Sequence, residues 1–183
     1  MTRLAERLLD LMCLPARWAG WLMLPLILSV LVAVAGAQLG QNAIARWQAD
    51  LPLLGNGITM NSLVDFQWHV FAAMVLFGGI LAYRRDRHVA VETLAANLPP
   101  RVRLALMVFG DLVFLVPFCA IIAWYGWSYA LVAWTTGEGS TQGGLTDRWI
   151  IKGAMPVAFG LLALAGLVRG LMRVAELIRG PQA

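Results

Sequence analysis

Apolar residues fill four long blocks of the chain, with short polar intervals between them. Trp18 to Ala45 is a run of twenty-eight residues without Asp, Glu, Lys or Arg. About 20 apolar residues cross a hydrocarbon core of about 30 Å, so this block predicts a first span over 18–45, with Pro25 a tolerated kink. Phe66–Tyr83 predicts a second span over 66–83, with Trp68 at the interface. A third, 104–134, contains Asp111 and Pro117 and ends in Trp124, Tyr125, Trp127, Tyr129 and Trp134, a cluster suited to an interfacial aromatic belt. The fourth covers 149–168, with Lys152 near enough to its end to snorkel. The expected fold is an all-α membrane protein, one integral membrane domain over 1–183 with four transmembrane helices.

The polar intervals refine this layout. Met1–Arg17 reads as an amphipathic head, with Leu4, Leu8, Leu11 and Met12 on one face. Arg46–Asp65 holds Pro52, Gly55-Asn56-Gly57 and Asn61-Ser62, which is loop chemistry. The interval from Arg84 to Arg103 carries five of the fourteen Lys and Arg residues. Within it Val91, Leu94, Ala95 and Leu98 recur at helical spacing, and Pro99-Pro100 stops the helix. This predicts a cytoplasmic interfacial amphipathic helix over about 88–98, between spans two and three. Arg84, Arg87, His88, Val91, Leu94 and Leu98 are its candidate contacts with the membrane surface or a partner. Gly137–Leu145 is a glycine-rich loop, and Arg169–Arg179 a basic amphipathic tail.

Composition agrees with the membrane reading. Apolar residues make up 60% and charged residues 13% of the chain, where soluble proteins carry about 25% charged; mean hydropathy is +0.73. The net charge of +4 gathers at the ends of apolar blocks instead of in one patch, so nucleic acid is not an expected partner and membrane lipids are. Arginines and lysines divide eleven to three between the head, middle and tail on one side and the other two loops. This bias predicts both termini on the cytoplasmic side of the membrane. Ala35-Gly36-Ala37 looks like a signal cleavage site, but the apolar run exceeds the roughly 7–15 residues of a signal core, so a retained helix is expected.

Little in the chain looks like reaction chemistry. Cys13 and Cys119 have no metal-type spacing. His69 and His88 are nineteen residues apart, about 28 Å along a helix, too far to share one haem iron. Asp111 is the one acidic residue expected inside a span, and an intramembrane carboxylate is a functional candidate by default. A structural pairing with an arginine competes with proton or substrate handling, the latter making the chain a self-sufficient small four-helix proton-coupled exporter. No catalytic set or metal cluster is visible, and the chain is not expected to be an enzyme or to hold a cofactor. Gly78-Gly79 and Gly160, Ala163, Gly166 and Gly170 are small-residue faces suited to helix association, within the chain or with another subunit.

Several short elements together resemble one family. They are Asn42-Ala43-Ile44-Ala45-Arg46-Trp47, Val64-Asp65-Phe66-Gln67-Trp68-His69-Val70-Phe71 and Arg87-His88-Val89-Ala90-Val91-Glu92. To these add Gly137-Glu138-Gly139-Ser140, Gly143-Gly144-Leu145, Trp149, Lys152 and Pro156. Their order resembles the small, DctQ-type permease subunit of tripartite ATP-independent periplasmic (TRAP) transporters, over about residues 20 to 178. Thr146 departs from the pattern, where the family often has proline, and Asp111 matches none of its elements. The resemblance implies a large multi-helix permease partner, in which sodium coupling resides, and a periplasmic solute-binding protein that delivers an organic acid. It implies a non-catalytic scaffold role for the small subunit. Outward Glu138, Ser140, Arg148, Trp149 and Lys152 are candidate contacts for the solute-binding protein, and simple solvation of the loop accounts for the same charges.

Overall fold

A computed structural model describes residues 2–85, 98–140 and 143–179, without the side chains of residues 2, 3 and 50. Four helical rods in it are long and apolar enough to cross a membrane: Leu4–Gln38, Met60–Arg84, Pro100–Thr135 and Trp149–Arg179. The first rod is built from α1 (Thr2–Met12), α2 (Leu14–Trp21) and α3 (Met23–Gln38). Its inward face is Leu9, Cys13, Ala16 and Ala19, while Leu4, Leu8 and Leu11, expected to form the apolar face of a separate head, point outward. Outward apolar side chains are the rule on all four rods, as lipid contact requires.

The first span ends earlier than expected. Gly40, at φ +67°, closes α3 in a Schellman motif: its N–H donates to the Ala37 carbonyl and that of Gln41 to Gly36. The chain then forms an antiparallel hairpin, β1 (Ala43–Leu51) and β2 (Gly55–Thr59), where a loop was expected. Trp47 Nε1–H donates to the Gly55 carbonyl oxygen at 2.8 Å and ties the two strands together. A Cβ on Gly57 would lie 2.6 Å from the Ala45 carbonyl oxygen, so this close strand approach needs glycine.

Thr59 caps α4 (Met60–Arg84) in a reciprocal box with Ser62. α4 therefore begins six residues before Phe66. The predicted surface helix falls almost wholly on residues 86–97, outside those described. After Leu98, Pro99 and Pro100 start the next rod, with a proline in the first helical turn, where no N–H is needed. That rod consists of α5 (Pro100–Phe109), a wide π turn (Gly110–Leu115) and α6 (Val116–Thr135). Val116 N–H donates to the Asp111 carbonyl, five residues back. Pro117 follows, with no N–H of its own and a ring that crowds the preceding turn; the wide turn accommodates it.

The last helix, α7 (Trp149–Arg179), is the hub against which α1, α4, α5, the π turn and α6 all pack. Gly166 and Gly170 lie one turn apart on it and let Leu112, Leu115 and Val116 approach closely. Gly126 on α6 makes room for Met155 and Pro156 in the same way. These small-residue faces are used within the chain. Gly78, Gly79 and Gly160 have open space beside them.

Candidate functional site

Two polar clusters cap opposite ends of the bundle. The first surrounds Asp111. The wide turn presents its carboxylate inward, where the residue is buried, and Arg173 of α7 donates Nη1–H to it. Four residues earlier on α7, Arg169 donates to the Tyr83 backbone oxygen and lies over the Tyr83 ring, 5.1 Å from its centre. The expected arginine partner of Asp111 is thus found, from the tail of the chain instead of neighbouring Arg103. Among the described residues, Ser29, Ser62 and Asp111 are the buried polar residues, so the one buried charge has its counter-ion.

Beside this pair, Arg84 ends α4 and turns back to α1. It pairs with Asp10 and approaches Glu6 at 3.4 Å; Arg17 also lies 3.4 Å from Asp10. Arg84, predicted as a surface contact, is therefore engaged in fastening α1 to α4. Arg87, His88, Val91 and Leu94 lie outside the described residues, and Leu98 is exposed just before α5.

At the opposite end, the glycine-rich loop is stitched to the hairpin. Gly137, at φ +61°, closes α6 in a second Schellman motif. Asp65, one turn into α4, accepts from the buried Leu145 N–H at 3.2 Å. A Cβ on Gly144 would run into that carboxylate. Asp147 accepts from the Leu53 N–H at 3.0 Å, and Thr146 N–H donates to the Leu53 carbonyl. Lys152 pairs with Glu138 and sits 4.0 Å above the Tyr129 ring. Trp149 meets Trp134 edge to face at 4.4 Å. Ser140 N–H donates to the Leu145 carbonyl and Arg148 N–H to Glu138.

The five residues predicted as outward contacts therefore gather in one loop cluster. Glu138 and Lys152 engage each other there, and Trp149 engages Trp134. Sequence reasoning missed Leu53 and Asp147, and it named Asp65 and Thr146 without their contacts, because these pairings join segments some eighty to ninety residues apart. A cavity of about 530 Å³ opens beside them, between Pro52, Leu53, Trp134, Asp147, Trp149 and Ile150. His69 is half-buried, and its Nδ1 lies 2.6 Å from the Asp65 backbone oxygen.

Among the described residues no three His, Cys, Asp or Glu side chains are grouped to hold a metal. Four apolar rods, a buried carboxylate paired with an arginine and a built loop platform define a small multi-pass membrane protein. The chain belongs to the DctQ component family of tripartite ATP-independent periplasmic transporters, whose family model matches residues 52–176, more than half of its length. It is a small membrane subunit of a TRAP transporter, a transport component of the inner membrane. A comparison with curated proteins finds no match.

Proposed function

We propose that this chain is the non-catalytic scaffold of its transporter. It holds a large multi-helix permease subunit in the bilayer and, at its glycine-loop end, contacts a periplasmic protein that delivers an organic acid. Sodium coupling resides in the large subunit, and both termini lie on the cytoplasmic side. The observation that carries this reading is the ion pair between Asp111 and Arg173. A transporter of this size needs a polar group free to bind cargo or protons at mid-membrane. Here the buried carboxylate is held by a guanidinium, so the alternative of a proton-coupled exporter acting through Asp111 loses its motivation.

The outward-facing apolar surface supports the scaffold role. Phe114, Phe118, Ile121, Trp124, Tyr125 and Val132 along one rod are exposed, and lipid or a second membrane subunit can cover them. Candidate contacts for the binding protein are Ser140 and Arg148 with the platform around Glu138, Trp149 and Lys152. Candidate contacts for the opposite membrane surface are Arg87, His88, Val91, Leu94 and Leu98.

Reconstitution tests the reading. Proteoliposomes with this chain alone are expected to show no sodium-dependent uptake of any organic acid supplied by a binding protein. Adding the co-purified large permease is expected to restore it. Uptake by the small chain alone would overturn the scaffold role.

A further inference from the structure

The end of the bundle that carries the termini holds a cavity with an unusual lining. About 250 Å³ is enclosed by Arg84 from α4, Arg169, Arg173 and Glu176 from α7, and Glu6 from α1, above Leu9 and Met172. A cavity of this size has room for a polar group of several heavy atoms. The charges have both signs. Asp10 and Asp111 stand behind Arg84 and Arg173, and Arg17 is paired with Asp10. Three arginines and two carboxylates thus line the cavity, and with the partners behind them, Asp10, Asp111 and Arg17, the charges of the cluster balance.

That balance selects the ligand. A free phosphate dianion would meet no net positive charge, and its hydration would be lost for little return. A group with a phosphate at one end and a primary ammonium at the other matches both halves of the lining. Guanidinium forks suit phosphate oxygens, with five N–H donors each. Glu176 is exposed and has no ion-pair or hydrogen-bond partner among the described residues, so its carboxylate is available to an ammonium. The cavity's depth agrees. Its basic groups lie in the last turn of α4 and along the last three turns of α7, with the apolar cluster of Leu9, Tyr83 and Ala165 beneath. This is the level at which lipid headgroups sit.

We propose that this cavity seats the phosphoethanolamine headgroup of a membrane lipid, its phosphate on Arg84 and Arg169 and its ammonium on Glu176 and Glu6. The lipid then bridges α1, α4 and α7, and its tails run down the outward apolar face of the first rod. The inference stands independently of the scaffold role, because it concerns contacts within this chain.

Native mass spectrometry of the full-length chain, with any membrane subunit that accompanies it, tests this after delipidation. The protein is titrated separately with phosphatidylethanolamine, phosphatidylglycerol and phosphatidylcholine of the same acyl chains. One phosphatidylethanolamine adduct is expected to survive activation that strips the other two lipids. Glu176→Gln is expected to weaken it roughly tenfold, as loss of a charge-assisted hydrogen bond implies. Glu6→Gln, on a different helix, is expected to weaken it too, so the result does not hang on one variant's folding. Equal or tighter retention of phosphatidylglycerol, or unchanged binding in both variants, would overturn the proposal. So would displacement of the lipid by soluble phosphoethanolamine at equal concentration, which would assign the cavity to a free metabolite.

Discussion

Asp111 shows how one residue's role depends on where its counter-ion comes from. Its pairing with Arg173 buries both charges, at 9% and 13% side-chain exposure. Removing one member of such a pair leaves the other desolvated and costs about 3–5 kcal/mol. Asp111→Ala is therefore expected to lower the thermal unfolding midpoint of the purified protein sharply. Replacing both residues, Asp111→Leu with Arg173→Met, is expected to recover most of the loss, since neither charge then remains buried. A double replacement no more stable than the single would show that an unpaired buried charge is not what destabilises Asp111→Ala. Tyr83 shares this region: its ring lies under Arg169 and its carbonyl accepts from the same guanidinium, so the α4 end is gripped at two points of one residue.

Among the elements, the loop at 137–148 depends on contacts far away in the chain. Leu145 is buried, and its N–H has the Asp65 carboxylate as acceptor. Asp65→Ala orphans that donor at a cost of about 1–3 kcal/mol. Loop opening is then expected to rise roughly tenfold, at 1.4 kcal/mol per decade, and to show as faster cleavage after Glu138 by a glutamate-specific protease. The four rods and the glycine-rich loop were legible in the sequence, because uninterrupted apolar length and glycine clustering are direct signals. The hairpin was not. Ala43, Ile44 and Ala45 continue the apolar run without a charge, and hydropathy alone extends the helix through them. The available signal was Gly40 followed by Gln41-Asn42, a helix stop of the Schellman kind, with Pro52 ahead at the turn between the strands. The π turn had only Pro117 to announce it, and proline more often marks a simple kink.

For the whole molecule, the proposed orientation rests on the division of arginines and lysines, eleven against three. Both native cysteines are buried at 1% exposure, so a single added cysteine can be labelled over a low background. Thr136→Cys, at the glycine-loop end, is expected to react with a membrane-impermeant maleimide in intact spheroplasts. Arg179→Cys is expected to react only after permeabilisation. The reverse pattern would invert the topology and place the loop platform away from a periplasmic binding protein. The apolar outer surface also means that detergent choice governs any stability measurement, since exposed Trp124, Tyr125 and Trp127 need an amphiphile around them.

The wide turn at Gly110–Leu115 has a consequence for how this chain tolerates changes of length. In a regular helix, losing one residue swings everything beyond it by about 100°, which would carry Cys119, Gly126 and Ala133 off their buried stripe. A π turn is the footprint of one surplus residue absorbed locally. Deleting the exposed Val113 is therefore expected to leave a continuous α-helix with that stripe still facing α7, checked by cysteine cross-linking between Gly126→Cys and Met155→Cys. The same deletion one turn further along, at Phe118, is expected to abolish the cross-link. The third rod can thus change its length at this one place without turning its buried stripe away from α7.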